Sequence, residues 1–187
     1  MSATAARPSS KLTFSHPVLS PITGTPSNPS LQALQKQIYT NTCAIHSTRG
    51  GGVNGHLVLV MTAPAYLMRT SVAFAPPIHP GDAPVHTQGA TGPFATENNG
   101  RFKQDHAEHI LFQAVSEELK QQVLAAVPTH YLSILDDADD GYSDVSILEM
   151  LTHLKAAYAT IEPREIESNR NASEETSYPG REGTRKD

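Results

Sequence analysis

Between Ser47 and Met61 the chain reads STRGGGVNGHLVLVM, and Gly50, Gly51, Gly52 and Gly55 fit two phosphate-binding patterns at once. As G-x-G-x-x-G they match a dinucleotide-binding turn, and as G-x-x-x-x-G the frame of a P-loop. Both rely on glycine to let backbone N–H groups approach a phosphate. Each also needs partners that are missing. A dinucleotide site takes an acidic residue about twenty positions on to hold the ribose, whereas the first acid anywhere in this chain is Asp82. A P-loop takes Lys and Ser/Thr after its last glycine, and here His56 and Leu57 follow Gly55. The four glycines therefore read as a turn between packed elements, and no nucleotide or other cofactor is expected.

Three further clusters invite chemistry. DDADDGYSDVSI, counted from Asp136, has the acidity of a calcium loop, but Ala138 falls at the third position and Ile147 at the twelfth. Calcium needs oxygen ligands at both, above all a bidentate Glu at the twelfth. A solvated acidic turn before a helix N-terminus suits those charges better, because the helix dipole favours them there. His106 and His109, three residues apart with Glu108 between them, share a helix face. HAEH is not the H-E-x-x-H of a zinc protease and offers no third ligand, so it reads as a solvent-facing polar stripe. Cys43, the single cysteine, sits among apolar neighbours in a predicted helix, where a thiol is inert. There is no G-x-S-x-G elbow. The expectation is a protein that is not an enzyme, with no catalytic or metal site and no small-molecule substrate. Asn171-Ala172-Ser173 is a formal glycosylation sequon without consequence in a cytosolic protein.

The elements that would position these residues are helical. Residues 1–29 hold Pro8, Pro17, Pro21, Pro26 and Pro29, too many missing donors for a helix. They read as an extended, largely disordered Pro/Ser/Thr-rich arm, although Val18, Leu19 and Ile22 give HPVLSPI something to bury. From Ser30, the residues Leu31, Leu34, Ile38 and Ile45 recur at helical spacing, and Gly50–Gly52 should end that helix. HLVLVM is too short for periodicity to decide between strand and helix. Thr62-Ala63-Pro64 has the form of a helix start, a capping residue with an early proline. Residues 76–100 are dense in Pro and Gly and read as an irregular connection.

Past that connection, Ile110, Leu111, Val115, Leu119 and Val123 mark a helix over 101–127 that Pro128 stops. THYLSIL suggests a short helical turn. Ser146 and Glu149 then form an S-x-x-E capping box, ahead of an apolar stripe of Leu151, Leu154 and Tyr158. A last helix is expected from Pro163 to Arg170, and 171–187 read as a disordered polar tail. Apart from Ile45, the eleven apolar positions of these stripes, Leu31 through Tyr158, are the expected core of a mainly α domain spanning 30–170.

Charge is segregated. Arg7, Lys11, Lys36, Arg49 and Arg69 precede Asp82 without a single acid, while all 19 acids follow, leaving a net charge of -5. Such asymmetry can steer one copy onto another or onto RNA. Five dispersed cations are fewer than strong phosphate tracking needs. The apolar run Leu57–Met61 is far too short to cross a bilayer, and the N-terminus has no apolar signal region. A cytoplasmic protein without membrane contact is expected.

The order of segments resembles the Gag-like N-terminal region of copia-type retrotransposon polyproteins. The residues that carry the resemblance are LQALQKQIYTNTCAIHSTRGGGVNGHLVLVM, PAYLMRTSVAF with APPIHPG, and ELKQQVLAAVPTHYLSILDDADDGYSDVSILEMLTHLKAAYATIEPREIESNR, spanning about Leu12 to Arg170. LTHLKAAYATI is similar to the L-x-x-x-Y helix of these capsid regions. The resemblance implies a small helical capsid-like bundle, self-association into homo-oligomers or particles, and packaging of RNA. A zinc knuckle, frequent in the family, would need three cysteines, and this chain has one. The expectation is a truncated Gag-like remnant. The rival expectation is a non-enzymatic helical host module for protein–protein interaction that has lost any transposon function.

Overall fold

The computed structural model describes residues 12–47, 52–85 and 92–159. The described chain is mainly helical and, among these residues, contains no strand. Its helices are α1 (Asn28–Ala44), α2 (Ala63–Thr70), α3 (Gly92–Ala126) and α4 (Ile147–Tyr158), with 3-10 turns at Gly52–Leu59, Thr129–Tyr131 and Ser133–Leu135. The helix expected at Pro163–Arg170, the tail 171–187, and the turn residues Gly50 and Gly51 lie outside the described residues.

α1 is the hub, touching the 3-10 helix Gly52–Leu59, α3 and α4. Its stripe of Leu31, Leu34 and Ile38 is buried against Leu57, Val60, Val115, Leu119, Val123, Met150, Leu151 and Leu154 in one continuous core. Burying side chains of this kind supplies most of the stability of such a fold. Pro29 in the first turn starts α1 at no cost, since its missing N–H would be unpaired there anyway. Thr62 caps α2 through its hydroxyl, which accepts the Ala65 N–H at 3.4 Å, and Pro64 again occupies the first turn. α4 opens on the expected box: the Glu149 carboxylate accepts the Ser146 N–H at 2.8 Å, and the Ser146 hydroxyl accepts the Glu149 N–H at 3.2 Å.

Four expectations need correction. α3 begins at Gly92 and not after Gly100, so 92–100 belong to a helix and not to the irregular connection. Pro93 sits in its first turn, where proline is tolerated, and a lone Gly100 costs only about 1 kcal/mol, too little to end a 35-residue helix. α1 stops at Ala44, ahead of the glycines, and Ile45 follows in extended conformation. Gly52 and Gly55 do not make a bend: they lie within the 3-10 helix Gly52–Leu59, so HLVLVM is helical at its start.

The fourth correction concerns the core. Ile110 is 51% exposed. The buried stripe of α3 starts at Val115, and five residues of α-helix turn Ile110 about 140° away from it. Leu111, one turn before Val115, and Tyr158, at the last residue of α4, are half-buried and pack on the core from its margin.

The arm is the main addition. Residues 12–27 contain no helix or strand but lie on the core through Phe14, Leu19 and Ile22, all buried, while Val18 points outward. An extended segment off a sheet must find other partners for its backbone, and here side-chain amides supply them. Asn41 on α1 accepts the His16 N–H at 2.7 Å and donates to the His16 carbonyl at 2.8 Å. It also donates to Gln122 of α3 at 2.9 Å, and Gln122 donates to the Pro17 carbonyl at 3.3 Å. Gln37 accepts the Ser20 N–H at 2.9 Å, and the Ile22 N–H reaches the Ala126 carbonyl at the end of α3 at 2.8 Å.

Candidate functional site

The C-terminal end of the glycine motif, Gly55 with His56, belongs to a packed element. Gly55 and His56 are buried, and the His56 Nδ1 lies 3.1 Å from the Ile45 carbonyl. Burial holds the His56 imidazole below its ordinary pKa, because the cation would lose hydration, while the Ile45 contact opposes that shift. Its ring stacks on Phe112 at 6.0 Å, and Phe112 stacks in turn on Phe74 at 5.6 Å. These rings, with Pro77 and Glu108, wall a cleft of about 290 Å³ between the 3-10 helix, the segment after α2, and α3. Among the described residues there is no strand to build the βαβ frame of a dinucleotide site.

His106 and His109 are half-buried beneath the segment after α2, not a solvent-facing stripe. His109 Nδ1 lies 3.0 Å from the Pro77 carbonyl, and the exposed His79 ring stands edge-on to both histidines at 5.4 and 5.2 Å. His79 Nδ1 accepts the Gly81 N–H at 3.1 Å, so that nitrogen is already engaged. His79 is the neighbour that spacing alone did not reveal. Among the described residues, no group of three His, Cys, Asp or Glu is arranged to hold a metal ion.

The acidic loop is shaped by its own backbone. Asp137 and Gly141 exchange two hydrogen bonds at 3.0 and 2.9 Å, and Gly141 takes the left-handed conformation (φ 59°) that closes the turn. The Asp137 carboxylate accepts the N–H groups of Asp139 and Asp140 at 2.9 and 3.2 Å, and these bonds lower its pKa. Its acidity therefore serves an Asx turn. Lys120 of α3 donates to the carbonyls of Tyr142 and Ser143 at 3.1 and 2.8 Å and fixes the loop's far end. Asp136, Asp139, Asp140 and Asp144 remain exposed. The Glu149 carboxylate beyond them is held below its usual pKa by the Ser146 N–H, then by the Ser146 hydroxyl.

The opposite charge gathers on α1 and α2. Lys36 and Arg69, both exposed, line an open groove of about 560 Å³ with Gln32, Tyr39, Thr40 and Cys43. Gln35 donates to the Tyr39 hydroxyl at 2.5 Å and the hydroxyl donates to the Val60 carbonyl at 3.4 Å, which fixes the floor. Cys43 is half-buried at this wall. The groove thus presents two cations and several neutral donors without a carboxylate lining it, an arrangement suited to an anionic surface. Lys36 and Arg69 are far apart in sequence, and only the packing of α1 and α2 on the same 3-10 helix places them along one groove.

No described helix is long and apolar enough to cross a membrane. No family model, no curated protein and no solved structure matches the chain.

Proposed function

We propose that this chain is a helical, capsid-like Gag remnant of the copia type, located in the cytoplasm, that acts by associating with copies of itself and, within such assemblies, with RNA. The reading draws on the ordered sequence blocks described above and is compatible with a mainly helical fold. The observation that carries it is the separation of exposed charge: Lys36 and Arg69 in one groove, Asp136, Asp139, Asp140 and Asp144 on one loop. Complementary patches on one chain favour encounter between copies and set their orientation. Catalysis is not part of this reading, since its charged groups are exposed and spread over separate surfaces.

A host interaction module is the second reading, favoured by the exposed Leu67, Met68 and Val72 at and just after α2, which a different protein could cover. Light scattering at several concentrations separates the two. Particles that grow with concentration support the Gag reading, and a discrete species at every concentration supports the module.

A further inference from the structure

The groove and the acidic loop are complementary in more than sign. Among the described residues, the side chains of Lys36 and Arg69 pair with no carboxylate, and no aspartate of the loop pairs with a cation. The loop is a preformed, exposed turn, closed by the Asp137–Gly141 pair and anchored by Lys120, so little chain entropy is lost when it docks. Each surface also carries an exposed apolar side chain at its margin: Ile134, 77% exposed, precedes the loop, and Met68, 81% exposed, adjoins Arg69. An interface with apolar contact beside paired charge is the usual anatomy of protein association.

We infer that the acidic loop Asp136–Asp144 of one copy seats in the Lys36–Arg69 groove of a second copy, so that chains join head to tail. The inference rests on the self-association proposed above and names the surfaces for it. Groove and loop are different patches, so the contact is heterologous. Each copy keeps one free end, and association continues past the dimer unless a ring closes. The ion pairs are exposed and therefore salt-sensitive.

The test uses charge reversal on the full chain, followed by sedimentation velocity at low salt. One variant carries K36E and R69E, and the other D139K and D140K. The second pair spares Asp137 and Gly141, which shape the loop. Melting curves check that each folds, and K36Q/R69Q with D139N/D140N replace any reversal that does not. The wild-type mass should rise with concentration. Each reversed variant alone should need about tenfold more protein for the same association, and mixing the two should restore it, because reversed groove then meets reversed loop. A variant that associates as well as wild type, or a mixture that stays dissociated, overturns the loop-in-groove contact and leaves self-association standing. A wild-type chain that remains monomeric throughout removes the proposed function and this inference together.

Discussion

The arm 12–27 and helix α4 bury comparable apolar side chains in the same core, and they reach it by opposite means. α4 satisfies its own backbone: its ladder is internal, and Ser146 and Glu149 close its first turn. The arm has no ladder. Its backbone is bonded by Asn41, Gln37 and Gln122, side chains that belong to α1 and α3. Local sequence therefore specifies α4, whereas the arm is specified by residues at distant positions. An apparently unstructured proline-rich segment can thus be part of a core when polar side chains on neighbouring helices replace a sheet.

If burial on α4 anchors the core, Leu154→Ala should give the largest loss. Leu154 is fully buried, and the cavity should lower stability by about 2–5 kcal/mol. Chemical denaturation reads it, and an unchanged midpoint would show that Leu154 is not core. The matching break on the arm is Asn41→Ala. It strands the His16 N–H and carbonyl and one end of Gln122, for an expected loss of about 2–3 kcal/mol. Amide exchange at His16 and Ser20 should speed up before the rest of the protein does. Exchange rates unaltered by the substitution would mean that Leu19 and Ile22 hold the arm unaided.

Ser146→Ala sharpens the contrast. It removes a cap from α4 alone and should cost about 1 kcal/mol, leaving exchange in the arm as it was. The smallest effect expected is a pH dependence. The folded His56 has a pKa below its unfolded value, so the unfolded state binds more protons just below pH 6.5. Its contribution is therefore complete above that pH and is lost as pH falls toward the folded value. As pH drops below 6.5, stability should fall more steeply in the wild type than in His56→Gln. Equal slopes would place the burial penalty elsewhere.

Much of this was legible locally. The box Ser146–Glu149, the start Thr62-Ala63-Pro64 and the stop before Pro128 are short-range events between adjacent residues, and sequence carries them in full. The start of α3 was obscured because Pro93 and Gly100 weight a composition window against helix, although position within the helix decides what each costs. The amide clamp did leave a signal. Asn41 and Thr42 fall three and four residues after Ile38, on the buried stripe of α1. Gln122 falls three residues after Leu119 and one before Val123, among the buried residues of α3. Polar residues on an apolar stripe mark buried hydrogen bonding, but which backbone they serve depends on tertiary packing. The candidate site divides the same way. The acidic loop is contiguous and visible, whereas the groove exists only once the fold brings Lys36 of α1 and Arg69 of α2 to line one surface.

The central claim, that the chain acts by associating with itself, is tested most directly by sedimentation equilibrium of the wild-type protein over a wide concentration range in low and high salt. The mass should climb above the 20.1 kDa of one chain as concentration rises and fall back toward it when salt is added. A mass fixed at 20.1 kDa under every condition would contradict it.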